Sequence, residues 1–500
     1  MIVKANQTVY LDGSGSYDPE GDSLTYLWSV ISSPGGAQAQ ISNVNITSPA
    51  FTATLIGSYI LQLSVSDGVN AAVADSVRVE VVNQQPVTDA GDDKKIYLGQ
   101  DVTLDASASY DADNDELGYE WELVSQPSES NFVLSVADKV AESFTFTPDV
   151  LGLYQFSLTV NDGIVYGETA QVTVYVNKKI TILDYQVIDA EYSKSLNKII
   201  MVATAPNRLF VYDPVTNNQT EVDLPLVPNN VSVSPDGLFA AVGHNAWVSY
   251  VDLSAGVLNK TLAVSCDASD TVLAGNGYIY ISPTEDQWER LRAINIATGE
   301  ESQHTGDLIY DKTKIKLHPA GLVIYGANNG LSPSDLEKYA ITGAVPEYLY
   351  DSPYHGDYDF CGDLWMSEDG LRIFTRCGNV FRSSAVRNQD MIYNGSLDQL
   401  TGIQHLSHSS ASGKVVVIPR DNYWWYEDEG DTGDTELQIY DYQYLAFEKR
   451  LPLSNFIVAD KGYQAHGRFV FHSADGSQYF VIVQADEESG MLKDYGVITY

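Results

Sequence analysis

The chain has 500 residues, too many for one ordinary hydrophobic core, and sets 28 basic against 67 acidic residues for a net charge of −39. A surface of that sign repels nucleic acid and anionic membranes, which argues against both as partners. No run is as long and apolar as a membrane-spanning helix, so no membrane insertion is expected.

The composition, with 33 Tyr, 38 Gly and 5 Met, suits many short strands joined by turns, and an all-β, almost helix-free protein is expected. The opening MIVKANQTVYLDG lacks the charged-then-apolar profile of a signal peptide. Any secretion signal is therefore expected outside this chain.

Two early segments repeat. VYLDGSGSYDPEGDSLTYLWSV from Val9 matches VTLDASASYDADNDELGYEWEL from Val102, and GSYILQLSVSDG from Gly57 matches GLYQFSLTVNDG from Gly152. Each copy has alternating strands, a tryptophan for a core (Trp28, Trp121) and an Asp-Gly turn near its end (Asp67-Gly68, Asp162-Gly163). That pattern describes a β-sandwich. On LDGSGSYDPEGD from Leu11 with Tyr26 and Trp28, and LDASASYDADND from Leu104 with Tyr119 and Trp121, both copies resemble the PKD domain. The resemblance implies immunoglobulin-like sandwiches over 1–82 and 83–178, of a kind common on extracellular and cell-surface proteins. The second copy opens with NQQPVTDAGDDKK where the first has almost nothing, so the chain is expected to start inside the first module of a longer protein.

Each copy carries an acidic turn: Asp18, Glu20 and Asp22, then Asp111, Asp113 and Asp115. Alternate carboxylates on a turn offer hard oxygen ligands to Ca²⁺, and calcium is the cofactor expected if any is. Against it stands a solvated turn built by Asp and Gly chemistry alone.

The rest of the chain is organised around residues 228–264, PNNVSVSPDGLFAAVGHNAWVSYVDLSAGVLNKTLAV, which read as four strands around tight turns. One such blade cannot bury both faces and demands neighbours. Related turns recur at SEDG (Ser367), SASG (Ser410) and SADG (Ser473), with weaker members near Lys194, Gly275 and Pro319. Seven units over 179–500 predict a seven-bladed β-propeller. The SPDG blade and the spacing resemble the surface-layer propellers often called YVTN, which implies adhesion or cell-surface architecture. The chain ends one strand short of a last blade, and KITILDY, just after the second sandwich, is expected to supply that strand and close the ring.

Long connections between second and third strands and between blades fall on one face of a propeller, the face where binding is expected. Its richest piece is Tyr423, Trp424, Trp425 and Tyr426 with Asp428 beside them; Trp288 lies in another long loop. Aromatic planes beside carboxylates suit sugar rings, a cationic peptide or a Ca²⁺-bridged glycan. The plainer reading packs alternate aromatics between blades.

Cysteine density gives no disulfide scaffold. A SEDG hairpin with Ser367 opposite Leu371 nevertheless places Cys361 opposite Cys377, within bridging distance. For catalysis, His355, His405 and His466 could approach the channel mouth, with Tyr354, Arg420 or Arg468 nearby, as in propeller polysaccharide lyases. No HxxxH, CxxC or GxSxG pattern supports them, and the net charge disfavours anionic polymers. The reading is a non-catalytic extracellular or cell-surface protein whose propeller binds a glycan or a surface protein. Its alternatives are a lyase-type enzyme and a self-assembling surface-layer or filament subunit.

Overall fold

Alternating apolar positions in the sandwiches and continuous apolar runs in many later strands set the strands, and in the computed structural model these form antiparallel sheets, save the parallel pair Ile2–Lys4 with Asp75–Val82, with three short 3₁₀ turns as the helical content among the described residues. The structure describes all residues except 71–73, 285–286, 329–333, 421–432 and 460. Residues 1–176 and 177–500 form two units.

In the first unit each repeat is a two-sheet sandwich. One sheet of the first module runs Ile2–Lys4, Asp75–Val82, Gly57–Ser66, Thr25–Ser32, and it faces Val9–Tyr10, Ala50–Ala53 and Ala39–Ile41. The second module places Gly118–Ser125, Gly152–Asn161, Ala170–Asn177 and Lys94–Tyr97 against Val102–Asp105 and Ser143–Phe146. The tryptophans fill the cores and keep their indole N–H satisfied: Trp28 donates to Ile46 O at 3.2 Å and Trp121 to Ala141 O at 3.0 Å.

The second unit is a ring of seven blades among the described residues. Blade 1 covers 189–223, blade 2 230–264, blade 3 267–303, blade 4 314–351, blade 5 364–396 and blade 6 403–452. Blade 7 takes Ala465–His472, Tyr479–Ala485 and Tyr495–Thr499 from the C-terminus and Thr181–Ile182 from just after the sandwiches. Thr181 pairs with Val497 and Ile182 with Gly496, so KITILDY closes the ring as its outer strand. A Cβ on residue 496 would collide with Ile180 Cγ2, so glycine is what lets the closing strand approach. Blades 2 and 3 share one continuous six-stranded sheet, because Phe239–Asp252 carries the second and third strands of blade 2 and Val257–Leu273 is the fourth strand of blade 2 and the first of blade 3.

The SPDG-type turns explain a register difference. Ser234 N–H donates to Phe239 O and Gly237 N–H to Ser234 O; Gly237 sits at φ 74°, and one more residue follows before the strand resumes. The same geometry pairs Ser367 with Arg372, one residue beyond the expected Leu371, and sets Leu364 opposite Thr375. Cys361 and Cys377 are therefore not opposed strand residues. They lie just beyond the hairpin's paired end, Cα atoms 5.6 Å apart, and are disulfide-bonded; Cys266 is a buried free thiol. The bridge closes a loop of sequence separation 16, so Cys361→Ser with Cys377→Ser is expected to cost about 3 kcal/mol in denaturant unfolding. A loss below about 1 kcal/mol would show that the bridge constrains nothing.

Blades 4 and 5 are tied by a buried ion pair. Lys338 Nζ lies 2.5 Å from Asp390 Oδ2, with the two side chains 4% and 0% exposed. Asp390 also accepts from Tyr325 OH at 2.8 Å, Ser384 N at 2.7 Å and Tyr350 OH at 3.1 Å.

Candidate functional site

Among the described residues each blade's first strand lines the central channel with its inner edge, in blade 3 through the C-terminal part of Val257–Leu273, and the channel-facing side chains are placed by counting back from the turn. Asp189, Asn230, Asp270, Lys314, Asp363, His405 and Phe469 come one from each blade and form a ring around a cavity of about 1110 Å³. Several of these side chains, with their neighbours two residues on, accept the bare N–H groups of the next blade. Asp189 Oδ2 takes Val231 N at 2.8 Å, Glu191 Oε2 takes Val233 N at 2.7 Å, and Ser232 Oγ takes Leu273 N at 3.1 Å. Further round, Asp270 Oδ2 takes Ile315 N at 2.8 Å, His405 Nδ1 takes Val470 N at 3.2 Å, and Ser407 Oγ takes His472 N at 3.1 Å. At these four junctions the inner edge is thus capped by side chains instead of a strand.

Below the ring, Lys316 from blade 4 reaches to 3.7 Å from Glu191 of blade 1. Burial lowers the Lys316 pKa, but the Asp270, Glu191, Asp363 and Asp189 charges outweigh it and hold it raised. Burial pushes the Glu191 carboxyl up to about 7. Above the ring, Arg376, Arg420 and Arg468 from blades 5, 6 and 7 line the mouth with Gln404 and Gln484. Of the cations among these groups, sequence reasoning missed Arg376, Lys314 and Lys316, and it named none of the carboxylates.

The three histidines singled out in the sequence do not converge. His405 lines the channel, but burial drives its pKa down to about 3, and its Nδ1 is occupied by the Val470 N–H. That leaves a neutral acceptor that holds blade 7, not a general base. His466 lies in the first strand of blade 7, with Nδ1 3.2 Å from Gly433 O. His355 is in the connection after blade 4, with Nδ1 3.0 Å from Asp335 Oδ2. Tyr354 OH accepts from Tyr393 N at 3.2 Å and is part of the blade 5 packing.

Tyr423, Trp424, Trp425, Tyr426 and Asp428 lie outside the described residues. Trp288 is 48% exposed and meets Tyr310 edge-on at 5.4 Å between ring centroids.

The two acidic turns differ. Asp18, Glu20 and Asp22 do not gather: Glu20 and Asp22 are exposed, and Asp18 accepts the Asp22 N–H at 3.0 Å. Asp111, Asp113 and Asp115 bring carboxylate oxygens within 4.8 Å of one another. Asp111 is 6% exposed; its Oδ1 accepts from Asp113 N at 2.7 Å, and its Oδ2 is buried with no hydrogen-bond partner. Burial, and then the Asp111, Asp162 and Asp113 charges, raise the Asp115 pKa. Lys4 of the first module lies 3.0 Å from Asp113, and the linker residue Asn83 donates to Asp162 at 2.6 Å. Asp67 of the first module accepts the Val69 and Asn70 N–H groups just as Asp162 accepts those of Ile164 and Val165, so the difference between the turns lies in the Lys4 and Asn83 contacts of the second.

Fold and repeats together define tandem immunoglobulin-like modules followed by a seven-bladed β-propeller. Residues 1–81 and 90–176 match the family model for the PKD domain of KIAA0319-like proteins, so the modules are PKD domains. A dyslexia-associated protein KIAA0319 homolog of Mus musculus is 32% identical over 185 residues, covering 36% of this chain and 16% of that protein. Chitinase A of Pseudoalteromonas piscicida is 28% identical over 205 residues, covering 38% of this chain and 24% of that protein. The match thus spans a minor part of each relative. Among solved structures, Kuenenia stuttgartiensis hydrazine synthase superposes with a TM-score of 0.46 at 15% identity, covering 64% of this chain and 97% of that one. The propeller assignment rests on the strand order itself. Among the described residues no helix is long and apolar enough to cross a membrane.

Proposed function

We propose that the protein is a non-catalytic recognition protein of the extracellular space or cell surface, with the PKD domains as spacers and the propeller binding a glycan or a surface protein. The observation that carries this reading is the channel of about 1110 Å³, walled by ionisable and aromatic side chains. That size and mixture suit a ligand held by a few directed polar contacts. The Cys361–Cys377 disulfide supports an oxidising compartment. A lyase-type reaction is the weaker reading, because His405, the candidate histidine that lines the channel, is a neutral backbone acceptor. Screening the chain on glycan and surface-protein arrays, with assay of every hit for released oligosaccharide, tests it. Binding without release supports recognition; release overturns it; silence with association at raised concentration turns the reading to a self-assembling subunit.

The turn of the second PKD domain is proposed to hold Ca²⁺ through Asp111, Asp113 and Asp115. The support is the buried, unpartnered Asp111 Oδ2, whose isolation in a carboxylate cluster is costly without a cation. Calcium at a hundredfold excess over its dissociation constant is expected to stabilise this domain by about 2.7 kcal/mol. Calorimetry should show the upward shift in wild type and not in Asp111→Asn; an equal shift in both would place calcium elsewhere.

A further inference from the structure

The net charge of −39 speaks against anionic ligands for the surface as a whole, but the channel wall departs from that average. Lys314, Lys316, Arg376, Arg420 and Arg468 are five of the chain's 28 basic residues, and all line this one cavity. They come from four consecutive blades, 4 to 7. The carboxylates of the wall are Asp189 and Glu191 of blade 1, Asp270 of blade 3, and Asp363 and Glu368 of blade 5; the first three each already accept a backbone N–H, and Glu368 is paired with Lys194 and accepts the Ser410 N–H. Lys316 faces those acids across the channel, and Asp363 is 3.7 Å from Arg376. Arg420 and Arg468 add positive charge at the mouth, and Arg468 lies close enough to lower the Tyr495 pKa against the larger upward pull of burial.

Beneath these arginines the wall is aromatic. His405 packs edge-on against Phe471 at 5.2 Å, Phe469 at 5.4 Å and Trp365 at 6.0 Å between ring centroids, and all four line the cavity. A neutral aromatic floor under guanidinium groups matches a ring with an apolar CH face and a carboxylate at its edge. Guanidinium forks pair with carboxylates by two parallel hydrogen bonds, and a low-dielectric wall focuses their field into the cavity.

Resting on the recognition reading, we infer that the channel mouth binds uronic-acid units of an acidic oligosaccharide, with Arg376, Arg420 and Arg468 receiving the carboxylate and the Trp365, Phe469 and Phe471 side receiving the sugar face. The acidic exterior then acts as a filter: a short or chain-end ligand reaches the cations along the channel axis, while broad polyanionic surfaces are repelled.

The test is titration calorimetry of the full chain with trigalacturonate, its methyl ester and maltotriose. Trigalacturonate is expected to bind and to weaken at high salt; the ester, which keeps the ring and loses the charge, should bind at least about tenfold more weakly, as should the acid to Arg376→Gln or Arg468→Gln. Arg420 is buried, so the two other variants carry the test if Arg420→Gln fails to fold. Equal affinity for acid and ester, unchanged affinity in both arginine variants, or no binding of trigalacturonate overturns the inference. Binding of a neutral glycan or a protein that survives in both variants overturns it too, while leaving the recognition reading standing.

Discussion

Lys338→Met is expected to destabilise the propeller by about 3–5 kcal/mol, the range for leaving one member of a buried ion pair uncompensated. Asp390 would keep its hydrogen bonds from Tyr325, Ser384 and Tyr350 but lose the cation 2.5 Å away, in a site with no exposed carboxylate surface. Lys338 also lies 4.9 Å from the Tyr325 ring centroid and 5.6 Å from that of Tyr350, contacts that a methionine stem keeps only in part. The double variant Lys338→Met with Asp390→Asn removes the stranded charge and should recover part of the loss. Urea unfolding of wild type, both single variants and the double variant completes the cycle. A loss below about 1 kcal/mol for Lys338→Met, or no recovery in the double variant, would show that the pair does not fasten blade 4 to blade 5.

The second large effect lies at the closure. Ile180 is buried among Val481, Val483 and Ile498, so Ile180→Ala should cost about 2–5 kcal/mol. Deleting residues 179–183 goes further, because it strips the outer strand from Tyr495–Thr499 and bares the outer edge of Gly496 and Val497, which stay paired only with Val483 and Ile482. An open edge beside a hydrophobic core is a template for pairing with another chain. The deletion is therefore expected to lower the propeller's melting temperature and to produce oligomers that grow with concentration in size-exclusion chromatography. A monomeric deletion variant that melts with wild type would mean that three strands suffice for blade 7.

Much of this architecture was legible because it is written in local chemistry. The Asp-Gly turns, the two tryptophans and the SPDG, SEDG and SADG hairpins each fix a strand end by backbone preference, and KITILDY stood out because the last blade was short by one strand. The Cys361–Cys377 pair was reached with a register one residue off: the left-handed glycine is followed by an extra residue, which puts Arg372, not Leu371, opposite Ser367. The fused sheet of blades 2 and 3 was not visible, since nothing in VLNKTLAVSCDASDTVL marks where one strand ends.

The channel was legible only in fragments. Its cations are spread over residues 314–468 and meet through the ring, so no window of sequence contains the cluster. One signal could have found part of it: Lys314, Asp363 and His405 each sit four residues before the start of their own hairpin turn, as Asp189 does before Ser193. The acidic turns looked equivalent in sequence and are not: Lys4 of the first module and Asn83 of the linker reach Asp113 and Asp162 beside the second.

The capping of inner edges by the preceding blade's side chains makes the blades non-interchangeable. Asp189 and Glu191 are addressed to the backbone of blade 2, Asp270 to that of blade 4, and His405 and Ser407 to that of blade 7. A blade moved elsewhere would arrive with the wrong key for its successor and an unanswered one from its predecessor. Ring order is thereby encoded a second time, independently of chain connectivity, so a circular permutant cut in a surface loop keeps every match while a shuffled or duplicated blade breaks two.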